Sequence, residues 1–287
     1  MRTYHDCIPC FARQAIDSAR LVTGDRELQE KILRKVLAYI SKMDLLQPPP
    51  FMARKIHKII RKETGVKEPY AKIKKQSNRF ALSLYPELKE MVRSSKNPFE
   101  TAVRLAIAGN IIDFGVHSAK TELDEKQVHD SITDALKSDV DEKVIQKLFN
   151  EIQRANSILY VADNAGEIVF DRVLLEEMPL DKITVAVKGY PIINDATLSD
   201  AKEAGLMNIV KVIENGSDAP GTILDLCSKK FRRVFNTAGL VISKGQGNYE
   251  TLSSSSKNIF FLFKAKCPVI ANHLKVEIGS MVIRKNV

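Results

Sequence analysis

Two short segments of this 287-residue chain carry an acid next to an amide: Asp163-Asn164 in DNAGE and Asn194-Asp195 in INDAT. Carboxylates and amide carbonyls are hard oxygen donors. With no His or Cys beside them, Asp163, Asn164 and Asp195 suit a hard divalent ion such as Mg²⁺ or Mn²⁺ rather than a structural zinc. Two carboxylates and one carbonyl leave positions for water and substrate, which is what a catalytic ion needs. Asp163 alone would read as a helix N-cap, since Asp before small residues and a Glu is a common helix entrance. Two such loops in one chain favour the ion. Gly166, Gly189, Gly216, Gly245 and Gly247 let the backbone approach a ligand closely. Neither the dinucleotide nor the P-loop glycine pattern is present.

The elements that must position these residues change character near Ile158. Before it, apolar residues recur at three and four, as in Ile8, Phe11, Ala15, Ile16 and Ala19, and predict helices over 4–22, 26–43, 51–64, 69–84, 86–94, 99–119, 124–137 and 139–154. From there on, short apolar runs at 157–162, 182–188, 208–213, 240–243, 259–264 and 280–285 predict strands, with helices over 167–177, 198–204 and 222–235 between them. Strands buried on both faces and separated by helices imply a three-layer α/β/α sandwich with a mostly parallel sheet, right-handed crossovers and an all-α N-terminal part. The expected division is a helical part over 1–155, packed on an α/β/α metal-binding catalytic domain over 156–287.

Ligands of open parallel sheets bind beyond the carboxyl ends of the strands. The residues following the predicted strands include Asp163, Asn164 and Glu167, then Asn194 and Asp195, then Gly216 and Ser217, then Lys244 and Asn248, and finally Lys264 with Lys266 close behind. Lys264 would bring an ammonium to a phosphate oxygen opposite the ion; a solvated strand end is its other reading. Asn110 and Asp113 interrupt an apolar helix, where unpartnered polar groups cost stability, so a role facing the site is expected of both.

The charge of +9 is concentrated: residues 51–100 hold 13 Lys or Arg against 5 Asp or Glu. The lysines at 72, 74 and 75 lack the interleaved aromatics of a stacking platform, so a solvated face is expected and nucleic-acid binding is not. No apolar run is long enough to span a membrane and the first residues lack a signal-peptide core, which points to the cytoplasm. Four cysteines are too few for a disulfide framework. Cys7 and Cys10 form CxxC without the second pair a four-ligand zinc would need, and packing thiols are the simplest reading.

The segments DNAGE (163–167), GYPIINDAT (189–197), GSDAPGT (216–222), SKGQGNYE (243–250) and FKAKCP (263–268) resemble, in order, those of the metal-dependent damage-control phosphatases, a family also described as acidic-residue methyltransferase-like. CIPCFARQA and AGNIIDFG (108–115) resemble its short, CxxC-bearing archaeal-type branch. The resemblance implies a helical N-terminal part on an α/β/α sandwich, a divalent ion held by Asp163, Asn164 and Asp195, and a phosphate-binding Lys at Lys264, with Lys266 as the alternative.

Together these features predict a phosphatase that hydrolyses phosphomonoesters of small metabolites, damaged or harmful ones, with nucleotides and sugar phosphates among them. The cofactor expected is one divalent ion, Mn²⁺, Ni²⁺, Co²⁺ or Mg²⁺. Asp163, Asp195, Lys264 and Glu167 would carry catalysis, Glu167 or Asp195 handling the proton. Asn110, Asp113, Asn194, Gly216, Ser217, Lys244 and Asn248 would contact substrate. The partner is then a small phosphorylated metabolite, and a homo-oligomer stays open. Two rivals remain at this point: a carboxyl methyltransferase using S-adenosylmethionine, and a non-catalytic protein that binds a metal or nucleotide.

Overall fold

Continuous apolar runs at the centre of the second half make strands that need cover on both faces, and the helices supply it. The computed structural model describes residues 1–112, 125–138 and 140–286. The helices of the first half are α1 (Cys7–Val22), α2 (Arg26–Ile40), α3 (Pro49–Thr64), α4 (Ala71–Ser94), α5 (Pro98–Ala108), α6 (Glu125–Lys137) and α7 (Glu142–Arg154). Then come β1 (Ile158–Val161), α8 (Glu167–Leu175), β2 (Ile183–Val187), α9 (Leu198–Glu203), β3 (Lys211–Glu214), α10 (Lys229–Thr237), β4 (Leu240–Lys244), α11 (Gln246–Leu252), β5 (Ile259–Lys264), α12 (Pro268–Leu274) and β6 (Met281–Lys285).

The six strands form one sheet in the order β3-β2-β1-β4-β5-β6. Five are parallel, and β6 runs antiparallel along the edge, with Leu262 opposite Ile283. The mostly parallel α/β/α architecture with a helical N-terminal part is therefore the one the periodicities predict. Alternation splits each strand between two layers. Ile158, Tyr160, Val185, Ile242, Phe260 and Leu262 share a core with Leu105 and Ile107 of α5 and Ile168 and Phe170 of α8. Leu159, Val161, Val241, Phe261 and Phe263 face the other way, onto Phe231 and Phe235 of α10 and Tyr249 of α11. The helices α1 to α3 bury a third cluster of their own around Phe11, Ile32, Val36 and Ile56.

Several boundaries differ from the predicted ones. The segments 69–84 and 86–94 form the single helix α4, which runs through Pro86 because Leu84, Leu88 and Val92 continue one buried face past it. The helix predicted over 26–43 ends as α2 at Ile40, and Pro49, within a run of three prolines, opens α3 at a position where the missing N–H costs nothing. The helix predicted over 99–119 ends as α5 at Ala108 and tightens into a 3₁₀ turn over Gly109–Ile112. In place of one helix over 222–235, a 3₁₀ turn precedes α10, whose start is set by Ser228 accepting from the Phe231 amide at 3.1 Å. The third strand begins three residues later than predicted, at Lys211.

Candidate functional site

At the middle of the sheet β1 pairs with β2 on one side and β4 on the other, so the chain leaves β1 and β4 in opposite directions and a crevice opens beyond their carboxyl ends. Asp163 and Asn164 follow β1, and the chain enters α8 through Gly166 at φ +77°. The 189–195 loop after β2 comes to meet them. Asn164 and Asp195 form an isolated antiparallel bridge. The Ala165 amide donates to the Asn194 carbonyl at 2.9 Å and the Ala196 amide to the Asp163 carbonyl at 2.8 Å. Main-chain bonds thus fix the two acidic segments against each other. Between them Ile193 sits at φ +46°, a conformation that costs a β-branched residue roughly 1–3 kcal/mol and survives only where its surroundings impose it.

The side chains form one connected network behind this edge. Asn164 donates from Nδ2 to Asp163 Oδ2 at 2.8 Å and to Glu167 Oε2 at 3.0 Å. Asn110, from the 3₁₀ turn after α5, donates to the same Glu167 oxygen at 2.8 Å. Lys244, at the end of β4 and without solvent exposure, donates to Glu167 Oε1 and the Ala106 carbonyl, each at 2.8 Å, and to Asp171 Oδ1. Glu167 and Asp171 lie four residues apart on one face of α8, which is why a single ammonium reaches both. Tyr160 donates to Asp171 Oδ1 at 2.8 Å. On the other side Lys188, buried at the end of β2, lies 3.2 Å from Asp195 Oδ2 and also donates to the Gly221 carbonyl.

The edge is short of positive charge where Asp163 stands. Burial, then the charges of Glu167 and Asp195, push the Asp163 carboxyl well above its ordinary range, against the opposing pull of Lys266 and Lys188. A divalent cation between Asp163 and Asp195 would relieve that repulsion. The backbone also leaves room there. Gly245 has φ +81°, and a Cβ on it would fall 2.0 Å from Asp163 Oδ2, so a glycine is what allows β4 to pass the carboxylate. The donor set of Asp163, Asn164 and Asp195 is all oxygen and fits a hard ion. Among the described residues no three His, Cys, Asp or Glu side chains converge into a ready-made metal cage, so a set of three donors here would have to include the Asn164 amide.

The predicted site residues fall into three groups. Asp163, Asn164, Glu167, Asn194 and Asp195 come together with Asn110, whose buried Oδ1 has no hydrogen-bond partner among the described residues. Gly216 and Ser217 stand beside the second acidic loop: the Ser217 carbonyl accepts from the Tyr190 amide at 3.2 Å, and Gly189 packs directly on Gly216. A third group sits differently from expectation. Lys244 is not available to substrate, because its three N–H bonds are spent on Glu167, Asp171 and Ala106. Asn248 is likewise turned inward, donating to the Lys244 and Ala162 carbonyls and accepting from Thr222. Lys264 continues the alternation of Phe260 and Leu262 towards α6, where its ammonium lies 3.4 Å from Ser131 Oγ, while Lys266, past the strand end, is the one whose charge acts on Asp163. Asp113 lies outside the described residues.

Three contributors are not named by the spacing of motifs. Asp171 and Tyr160 complete the cradle of Lys244. Asn78 of α4, fully buried, accepts from the Gly166 amide at 2.7 Å and donates to Asp200 at 3.0 Å and Glu203 at 2.8 Å, tying the first acidic loop to α9. An acid inside the apolar run EIVFDRVLL is a signal by which Asp171 could be found; Asn78 in a charged helix offers none. Cys7 and Cys10 are free thiols, and burial pushes the half-buried Cys7 up to about 11, so it is a thiol at neutral pH.

An α/β/α fold with an acid and amide edge at its topological switch point has that edge where open parallel sheets take their ligands. Residues 3–282 match the family model described as the damage-control phosphatase ARMT1-like domain. The chain is 38% identical to damage-control phosphatase PH1575 of Pyrococcus horikoshii, covering 100% of this chain and 99% of that one. It is 35% identical to a damage-control phosphatase of Archaeoglobus fulgidus over 97% of each, and 38% identical to the uncharacterized protein MJ0202 of Methanocaldococcus jannaschii over 98% of this chain and 94% of that one. The crystal structure of PH1575, described as a DUF89 family protein, superposes with a TM-score of 0.89 over 100% of both chains at 35% identity. The chain therefore belongs to the ARMT1-like damage-control phosphatase domain family. No helix among its described residues is long and apolar enough to cross a membrane.

Proposed function

We propose that this protein is a metal-dependent phosphatase that hydrolyses phosphomonoesters of small metabolites, acting in the cytoplasm on damaged or harmful phosphorylated compounds. The observation that carries this reading is the bridge between Asn164 and Asp195, which joins two hard-oxygen segments at the switch point of the sheet. Names borne by relatives that match along their full length support the reaction class.

Asp163, Asn164 and Asp195 would hold one divalent ion of the set Mn²⁺, Ni²⁺, Co²⁺ and Mg²⁺. When bound, such an ion polarises a phosphoryl oxygen and makes water a better nucleophile near neutral pH. The chain's own residues do the rest. Lys266, close enough to act on Asp163, offsets negative charge gathering on the phosphoryl group. Both oxygens of Glu167 are engaged by Lys244, Asn110 and Asn164, so its part is to orient Asn164, and Asp195 is left to accept the proton of the attacking water. Lys244 and Asp171 keep Glu167 in place from behind.

Phosphate release measured with each of the four ions against a panel of phosphorylated sugars, nucleotides and cofactors tests the reading. Metal-dependent release in the wild type and its loss in Asp163→Ala, together with lost metal binding, are the expected results. Full turnover by Asp163→Ala at saturating metal would remove it.

A further inference from the structure

The basic excess of residues 51–100 has a structural destination. α3 and the turn after it present Arg54, Arg61, Lys62 and Lys67 to a cavity of about 620 Å³ whose opposite wall includes Tyr190 and Asp218. A concavity of this size is typical of small-molecule sites rather than of a nucleic-acid track. Its far wall is made by the loops that build the candidate centre. Tyr190 and Pro191 open the loop that ends on Asn194 and Asp195, and Arg61 Nη1 donates to the Pro191 carbonyl at 3.2 Å. One loop thus contributes Tyr190 and Pro191 to the cavity and Asn194 and Asp195 to the acidic centre.

Its charge is unbalanced. Four cations line it against a single carboxylate, Asp218. Asp218 accepts from Arg54 and, at 3.0 Å, from Arg61, and lies 3.7 Å from Lys58. Burial would raise this carboxyl, but the hydrogen bond and charge of Arg54, with Lys58 and Arg61, hold it below the ordinary carboxylate range, so it is ionised and already claimed. Lys62 and Lys67 are exposed and take part in no ion pair among the described residues. Two guanidiniums, one of them fixed at both ends, and two unclaimed ammoniums suit a dianionic oxyanion better than a monovalent one. The Tyr190 ring, 61% exposed at the rim, offers a flat apolar surface to the body of such a molecule.

We infer that this cavity is a second phosphate subsite, so that the preferred substrates are bisphosphorylated metabolites: one phosphate at the Asp163–Asp195 centre, the other between α3 and the 189–195 loop. The inference deepens the phosphatase reading and rests on it for the identity of the first phosphate. The subsite itself is testable without turnover. Calorimetry on the Mn²⁺-loaded protein compares two matched pairs of non-hydrolysable phosphonate analogues, those of glucose 1-phosphate with glucose 1,6-bisphosphate and those of adenosine 5′-phosphate with adenosine 3′,5′-bisphosphate. In at least one pair the bisphosphate should bind about tenfold more tightly, the scale of one charge-assisted contact set. That preference should vanish in the Lys62→Ala/Lys67→Ala double variant, whose exposed substitutions leave the core untouched. Equal binding within both pairs, or a preference that survives the double substitution, would overturn the subsite. Phosphate release is read separately: a binding preference without release in any metal counts against the enzymatic reading alone, and release without a preference counts against the subsite alone.

Discussion

Asn164 and Asp195 are joined through their main chains by an antiparallel bridge that belongs to no regular strand. Because β2 follows α8 in the chain, nothing in local structure would bring these residues together; the parallel pairing of β1 with β2 does so. Their side chains are thereby held at one edge by backbone hydrogen bonds rather than by side-chain packing, which is how a charged site keeps its shape when its own carboxylates repel.

Gly245, just past β4, passes directly against the Asp163 carboxylate. In Gly245→Ala the new methyl would overlap the Asp163 carboxylate, at a positive φ that already disfavours alanine. The variant should lose roughly 1–3 kcal/mol of stability from strain. Phosphate release should fall by far more than stability does, because Asp163 must move. Chemical denaturation and phosphate-release assays on the same preparation separate the two effects.

Among the described residues, Lys244 is the one cation paired with Glu167 and Asp171 behind the site. Lys244→Met would leave both carboxylates buried without it, a loss of about 3–5 kcal/mol. The urea midpoint should drop accordingly, and the additional change Asp171→Asn should recover part of the loss. A Lys244→Met protein as stable as the wild type would show that the cradle contributes little.

Asn78 acts at a distance from the proposed ion site. Asn78→Ala leaves the Gly166 amide without its acceptor and frees α9 from the loop. By analogy with other groups that orient ligands without touching the metal, Mn²⁺ affinity should weaken by about 10–100-fold, while the fold, read by circular dichroism, persists. Isothermal titration with Mn²⁺ provides the measurement.

Glu250 of α11 sets a pH dependence remote from the acidic loops. Burial pushes its carboxyl up to about 7, with the Gln246 hydrogen bond and the chain's N-terminal charge opposing. Between the ordinary carboxylate value and 7 the folded chain keeps a proton that the unfolded chain has released. Stability therefore falls as pH rises through that window and is lowest above it, by roughly 3 kcal/mol at about 1.4 kcal/mol per pKa unit. Glu250→Gln should flatten this dependence, matching the wild type near pH 4 and exceeding it at pH 8 in thermal unfolding.

Much of this was legible in the residues. Short apolar runs ending in polar, glycine-containing loops specify a parallel sheet and gather those loops at one edge, because every strand of a parallel sheet ends on the same side. What spacing does not encode is direction across the layers. Lys264 and Lys266 are equivalent on the page, yet strand alternation carries Lys264 to α6, and the chain's exit from β5 brings Lys266 to Asp163. Lys244 and Asn248 read as ligands for the same reason: their loop is at the binding edge, while their side chains point below it. Asn78 was invisible because its partner loop lies 88 positions away and its helix looks like an ordinary solvated one.

The account stands on the convergence of Asp163, Asn164 and Asp195 on one hard cation. Anomalous diffraction from crystals grown with Mn²⁺ addresses it most directly. A single manganese peak in contact with oxygens of those three side chains is the predicted result. A fully occupied peak elsewhere, with the three side chains left free of metal, would contradict it.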